Sequence, residues 1–105
     1  MLVAYTIGDD FAAAHTEAYD IGLGGLAMLA ATELPPGQEL RLRIELRGDP
    51  RPPLELTGAV RWCHHDAALE KYRTGVEFTG RMPEHETQLR AYIEMMYKLR
   101  DLDVL

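Results

Sequence analysis

Asp20-Ile21-Gly22-Leu23-Gly24-Gly25-Leu26, backed by the apolar run Ala27 to Ala31, is the stretch that decides how the chain is read. Three glycines in four positions predict a tight reversal, because glycine takes positive φ without a steric penalty. Thr16-Glu17-Ala18-Tyr19 lies before it and Leu26-Ala27-Met28-Leu29 after it, so the turn joins two strand-like runs. A G-x-G-G cluster can also cradle phosphate on its backbone N–H groups, but that reading requires a helix to open after the glycines. Here Leu34-Pro35-Pro36-Gly37 halts the chain a few residues later, so strand–turn–strand is the expectation.

The sequence downstream extends this pattern. Leu40-Arg41-Leu42-Arg43-Ile44-Glu45-Leu46-Arg47 alternates apolar and charged residues without a miss, the mark of a half-buried strand whose even positions face a core. Gly48-Asp49-Pro50-Arg51-Pro52-Pro53 reads as a loop. The alternation resumes through Leu54, Leu56, Gly58, Val60 and Trp62, with the mid-strand glycine predicting a bulge. His64 to Lys71 reads as a polar connection and Tyr72 to Phe78 as a last strand. Upstream, Leu2 to Ile7 is a first strand, closed by Gly8-Asp9-Asp10. The ambiguous stretch Phe11 to Tyr19 resolves best as a strand from about His15. Five or six short antiparallel strands predict a small barrel or curled sheet.

From Pro83 the period changes. Pro83, Glu84 and Glu86 suit a helix N-terminus, and Leu89, Tyr92, Ile93, Met96 and Leu99 or Arg100 recur at helical spacing, with Lys98 and Arg100 near the C-terminal end. Met95, Tyr97 and Leu102 lie off that stripe: they either wrap round the barrel edge or form a docking surface for another protein. The expected organisation is one domain over 1–105, barrel about 2–80 and helix about 83–102.

Composition narrows the function. The 105 residues hold 47% apolar and 27% charged residues, as in a soluble globular domain. No apolar run is long enough to span a membrane. The start, Met1 to Tyr5, lacks a basic region and reads as no signal peptide. With Cys63 the single cysteine, a cytoplasmic setting is expected. The net charge is −6, and residues 1–40 hold six acids and no Lys or Arg, against eleven of each sign in 41–105. Nucleic-acid binding needs clustered cations, so it is not expected. The chain has no Ser and no Asn, which excludes a serine nucleophile. Neighbouring residues Cys63-His64-His65-Asp66 point to opposite faces of a strand and lack metal-ligand spacing, so no metal is expected. His15 has no identifiable catalytic partner. No enzyme and no cofactor are read from these residues.

The order of Asp20 to Leu26, Leu34-Pro35-Pro36-Gly37, the strand at 40–46, Gly58-Ala59-Val60-Arg61-Trp62, Thr74-Gly75-Val76-Glu77-Phe78 and a C-terminal helix resembles the PilZ domain. Val3, Tyr5, Phe11 and Tyr19 ahead of the turn look like PilZ-like proteins linked to surface motility in deltaproteobacteria. The resemblance covers about 20–100 and implies a mainly β fold: a six-stranded antiparallel β-barrel with a C-terminal α-helix. Family members that bind cyclic di-GMP carry R-x-x-x-R ahead of [D/N]-x-S-x-x-G, the guanidinium groups clamping phosphates and guanine edges. Here Asp20 and Gly25 match the second motif and Gly22 replaces its serine. The first motif is absent, since the earliest arginine is Arg41. Arg43 to Arg47 has its spacing but follows the turn on a strand's outer face. Losing charge-assisted contacts of roughly 1.5–3 kcal/mol each costs several kcal/mol of ligand binding.

The expectation is a degenerate PilZ-like regulatory or adaptor domain in surface motility, type IV pilus, gliding or polarity control. It acts through a protein partner, and its place at a cell pole would depend on that partner. Vestigial ligand residues are Asp20, Gly22 and Gly25. Partner-binding candidates are Asp9, Asp10 and Glu17, suited to a basic partner, and Met95, Tyr97 and Leu102. The alternative is a cyclic di-GMP receptor whose site is altered or completed by arginines of a second subunit, for which the exposed apolar helix residues leave room as a homodimer.

Overall fold

The structure is a computed structural model. It describes residues 2–7, 13–45, 52–80 and 83–103, with helix side chains described over 85–95. Strands β1 (Leu2–Ile7), β2 (Ala14–Ile21), β3 (Gly25–Ala30), β4 (Glu39–Glu45), β5 (Leu54–Asp66) and β6 (Lys71–Gly80) precede helix α1 (Pro83–Asp103). Every strand pairing is antiparallel, and the order β1-β2-β3-β6-β5-β4 closes into a barrel.

The period-two reading of β4 holds: Leu40, Leu42 and Ile44 are buried and Arg41, Arg43 and Glu45 exposed. They meet Val3, Tyr5, Met28, Leu54, Leu56, Val60, Val76 and Phe78 in the barrel core. The β3–β4 connection is pinned by a type II turn. Gly37 takes φ 89°, the Gln38 N–H donates to the Pro35 carbonyl (3.1 Å), and Gly37 N–H and the Gln38 carbonyl both bond Val60.

Three register shifts shape the sheet. One falls between Thr57 and Gly58, beside the mid-strand glycine, but its extra residue is Thr79 of the partner strand β6. A second leaves Tyr19 as the extra residue of β2, so that Ala18 and Ile21 both face the core; β2 therefore runs two residues past its expected end. The third, between Val60 and Trp62, reverses the phase of β5. Trp62, expected to continue the buried alternation, instead faces outward at 38% exposure, while Cys63 turns toward the buried Thr74. Nor is His64 to Lys71 wholly a connection. β5 continues to Asp66 and β6 begins at Lys71, with His65 against Tyr72 (ring centroids 5.0 Å apart).

Helix α1 packs on β5 and buries Leu89, Tyr92 and Ile93, while Gln88 Nε2 donates to the Pro52 carbonyl (3.2 Å). The expected stripe is thus seen over the described side chains; Met96, Leu99 and Arg100 lie outside them. Among the described residues no helix is long and apolar enough to cross a membrane.

Candidate functional site

Asp20, Gly22 and Gly25 sit together on the β2–β3 hairpin. The Gly22 N–H donates to the Gly25 carbonyl (2.9 Å), and the Phe78 N–H donates to the Gly24 carbonyl (2.8 Å), tying the hairpin to β6. The glycines are not there for positive φ. Among the described residues that conformation belongs to Gly37 and to Glu70 (54°). Gly25 is required by close approach instead: a Cβ on it would stand 2.1 Å from the Val76 carbonyl oxygen. Gly22 and Gly24 face open space.

Cross-strand pairing places Asp20, Ala27, Gly75 and Trp62 in one row over four strands. This row lines a depression of about 300 Å³, bounded also by Arg61 and Glu77. Arg61 is the guanidinium of this lining, and its Nε is engaged with the Glu77 carboxylate. An anion entering here meets Asp20 and Glu77 with one already paired arginine.

Beside the depression the sheet carries a polar–aromatic face that the sequence reading missed. Trp62 stacks on His64 (5.5 Å, 23° between planes). Arg73 Nε bonds Asp66 Oδ2 at 2.8 Å, and its guanidinium lies 5.2 Å over the Tyr19 ring. The Arg73 hydrogen bond holds the Asp66 carboxyl below its ordinary value, helped by the Leu69 N–H; Asp66 in return keeps Arg73 more firmly protonated.

The partner-binding candidates are scattered. Glu17 is exposed on β2 opposite Leu2, and Met95 is exposed on α1. Asp9 and Asp10 lie outside the described residues, as do the side chains of Tyr97 and Leu102. The described acids of residues 1–40 do not form one patch. Glu17 pairs at the Leu2 end of β1, whereas Glu39 adjoins Leu40, which pairs at the Ile7 end. Among the described residues, no group of three or more His, Cys, Asp or Glu could hold a metal ion.

A closed six-stranded antiparallel barrel followed by a C-terminal helix places the chain in the class of small antiparallel β-barrel domains. The PilZ domain profile matches residues 2–95, and the chain belongs to the PilZ family. Its fold is similar to that of the Bacillus subtilis inhibitor of motility, MotI/DgrA, with a TM-score of 0.76 and 23% sequence identity over 92% of this chain and 47% of that one. The chain thus spans about half the length of that protein. No characterised sequence matches it significantly. PilZ domains are generally non-catalytic ligand-binding or adaptor domains, and no enzymatic family is indicated.

Proposed function

We propose that this PilZ domain acts in the cytoplasm as a regulatory adaptor, through contact with a protein partner of motility, pilus or polarity machinery rather than through cyclic di-GMP. The observation that carries this reading is the lining of the hairpin depression: Asp20 and Glu77 are present, and Arg61 is engaged by Glu77. A dianion placed there lacks the free guanidinium pair that family receptors supply, at a cost of several kcal/mol. The motility role named for the similar Bacillus protein supports the setting. Met95, Tyr97 and Leu102 on the helix, with Asp9, Asp10 and Glu17, are the proposed contacts.

Calorimetric titration with cyclic di-GMP at low and moderate salt tests the reading. No heat is expected at ligand concentrations near millimolar. Micromolar binding would sink it in favour of an altered or dimer-completed receptor site, for which Arg61 is the first donor to mutate.

A further inference from the structure

A larger depression, about 650 Å³, lies on the outer face of β1, β4 and the first half of β5. Its shape follows from sequence. β1 contributes only Ala4 and Thr6 to its lining, and Ala13 lines it as well. Cross-strand register sets two rows across this trough. Thr6, Arg41 and Thr57 form one; Ala4, Arg43 and Glu55 form the other. Arg41 and Arg43, about 7 Å apart along the strand, are exposed and make no ion pair with any described residue.

The two arginines are not equivalent. Arg43 stands directly opposite Glu55, so its charge is offset across the ladder. Arg41 has hydroxyls on both sides. Thr79 Oγ1 donates to Thr57 Oγ1 (3.3 Å), which leaves the Thr57 proton free to donate elsewhere. In a chain of net charge −6, a guanidinium flanked by two hydroxyls over an alanine floor is a local anion site with an apolar annex.

We propose that this trough binds an amphiphilic organic anion. Arg41, with the Thr6 and Thr57 hydroxyls, holds the acidic group; the apolar body lies against Ala4 and Ala13. Glu55 repels the charge from the Arg43 end and so fixes the ligand's polarity. The site shares no lining residue with the glycine hairpin depression and does not depend on the function proposed above.

The test uses two dyes with the same rings: 8-anilinonaphthalene-1-sulfonate, and N-phenyl-1-naphthylamine, which lacks the sulfonate. Fluorescence titration of the full chain is expected to show saturable binding of the anionic dye. Arg41→Gln weakens it about tenfold or more, Glu55→Gln tightens it, and the helix variant Arg90→Gln leaves it unchanged. The uncharged dye binds wild type and Arg41→Gln alike. Because Arg41 is exposed, thermal melts of wild type and variant coincide, separating site loss from unfolding. The proposal is overturned if the anionic dye does not saturate on wild type or binds Arg41→Gln equally well. It is also overturned if the uncharged dye loses affinity together with the anionic one.

Discussion

The Trp62 indole lies flat across Gly75: a Cβ built on that glycine would come 2.1 Å from Nε1 and 2.2 Å from Cε2. The obstruction is a partly exposed side chain that can swing away. At Gly25 the obstruction is the Val76 carbonyl, which cannot move without breaking the sheet. Gly75→Ala is therefore expected to cost about 1 kcal/mol, and Gly25→Ala about 3 kcal/mol or more. Trp62 is the single tryptophan, so its emission reads the first change directly: Gly75→Ala shifts the spectrum while the fold persists. Denaturant titrations of both variants check the order.

Asp66 supplies an acid-dependent contribution. Its folded-state carboxyl is held below the ordinary value by Arg73 and the Leu69 N–H, so ionised Asp66 favours the folded state. That contribution is fully present above the unfolded value of about 4 and is lost as pH falls through the lower folded value. Asp66→Asn should melt below wild type at neutral pH, and the gap should close in acid. A gap that persists at pH 2 would mean that the turn geometry, not the charge, carries the effect. The turn contacts in question are the 3.1 Å bonds of Asp66 Oδ1 to the Ala68 and Leu69 N–H groups.

Tyr5 makes the converse case at alkaline pH. Burial raises its phenol above the ordinary value, because the phenolate would lose hydration inside the barrel. Stability from the neutral phenol is present below about pH 10 and lost as pH rises through the folded value. Tyr5→Phe is expected to leave stability nearly unchanged at pH 8 and to flatten the alkaline loss, as followed by circular dichroism.

Leu89 ties the helix to the barrel and is fully buried. Leu89→Ala removes its side chain from a packed site at a cost of 2–5 kcal/mol by comparison with other buried leucines. Because α1 packs on β5, amide exchange is expected to rise in α1 and along β5 rather than in β1 and β2. Uniform acceleration through every strand would show that the helix and barrel unfold as one unit.

The fold was legible where composition repeats at a structural period. β4 announces itself through Leu40, Leu42 and Ile44, the helix through Leu89, Tyr92 and Ile93, and the register shift at Thr57/Gly58 through its glycine, although the extra residue there is Thr79 of β6. The bulge that turns Trp62 outward involves Arg61 and carries no compositional signal, so the alternation reading ran straight through it. A signal for the extended β5–β6 hairpin did exist. Asp66, just ahead of Ala67-Ala68-Leu69-Glu70, is a turn opener, and its carboxylate accepts from the N–H groups two and three residues on. The glycine hairpin was located correctly but for another physical reason, since Gly25 serves strand approach rather than positive φ. The site was less legible. Whether acids in sequence make a patch depends on register, and register sends Glu17 and Glu39 to opposite ends of β1.

The pairing of β3 with β6 has a consequence for how the molecule assembles. β5 and β6 are joined by four residues, so their ladder closes a short loop, whereas Gly25 and Glu77 meet across about fifty residues, farther apart in sequence than Leu2 and Glu45 on the β1–β4 seam. The hairpin at the C-terminal side can zip up early; the β3–β6 seam carries the largest loop-closure entropy and is the natural last step. Until β3 docks on β6, both strands present an open hydrogen-bonding edge, and a chain delayed at that point is primed for edge-to-edge aggregation. β3 acts as the clasp of the barrel: six residues whose arrival converts a sticky open sheet into a closed one.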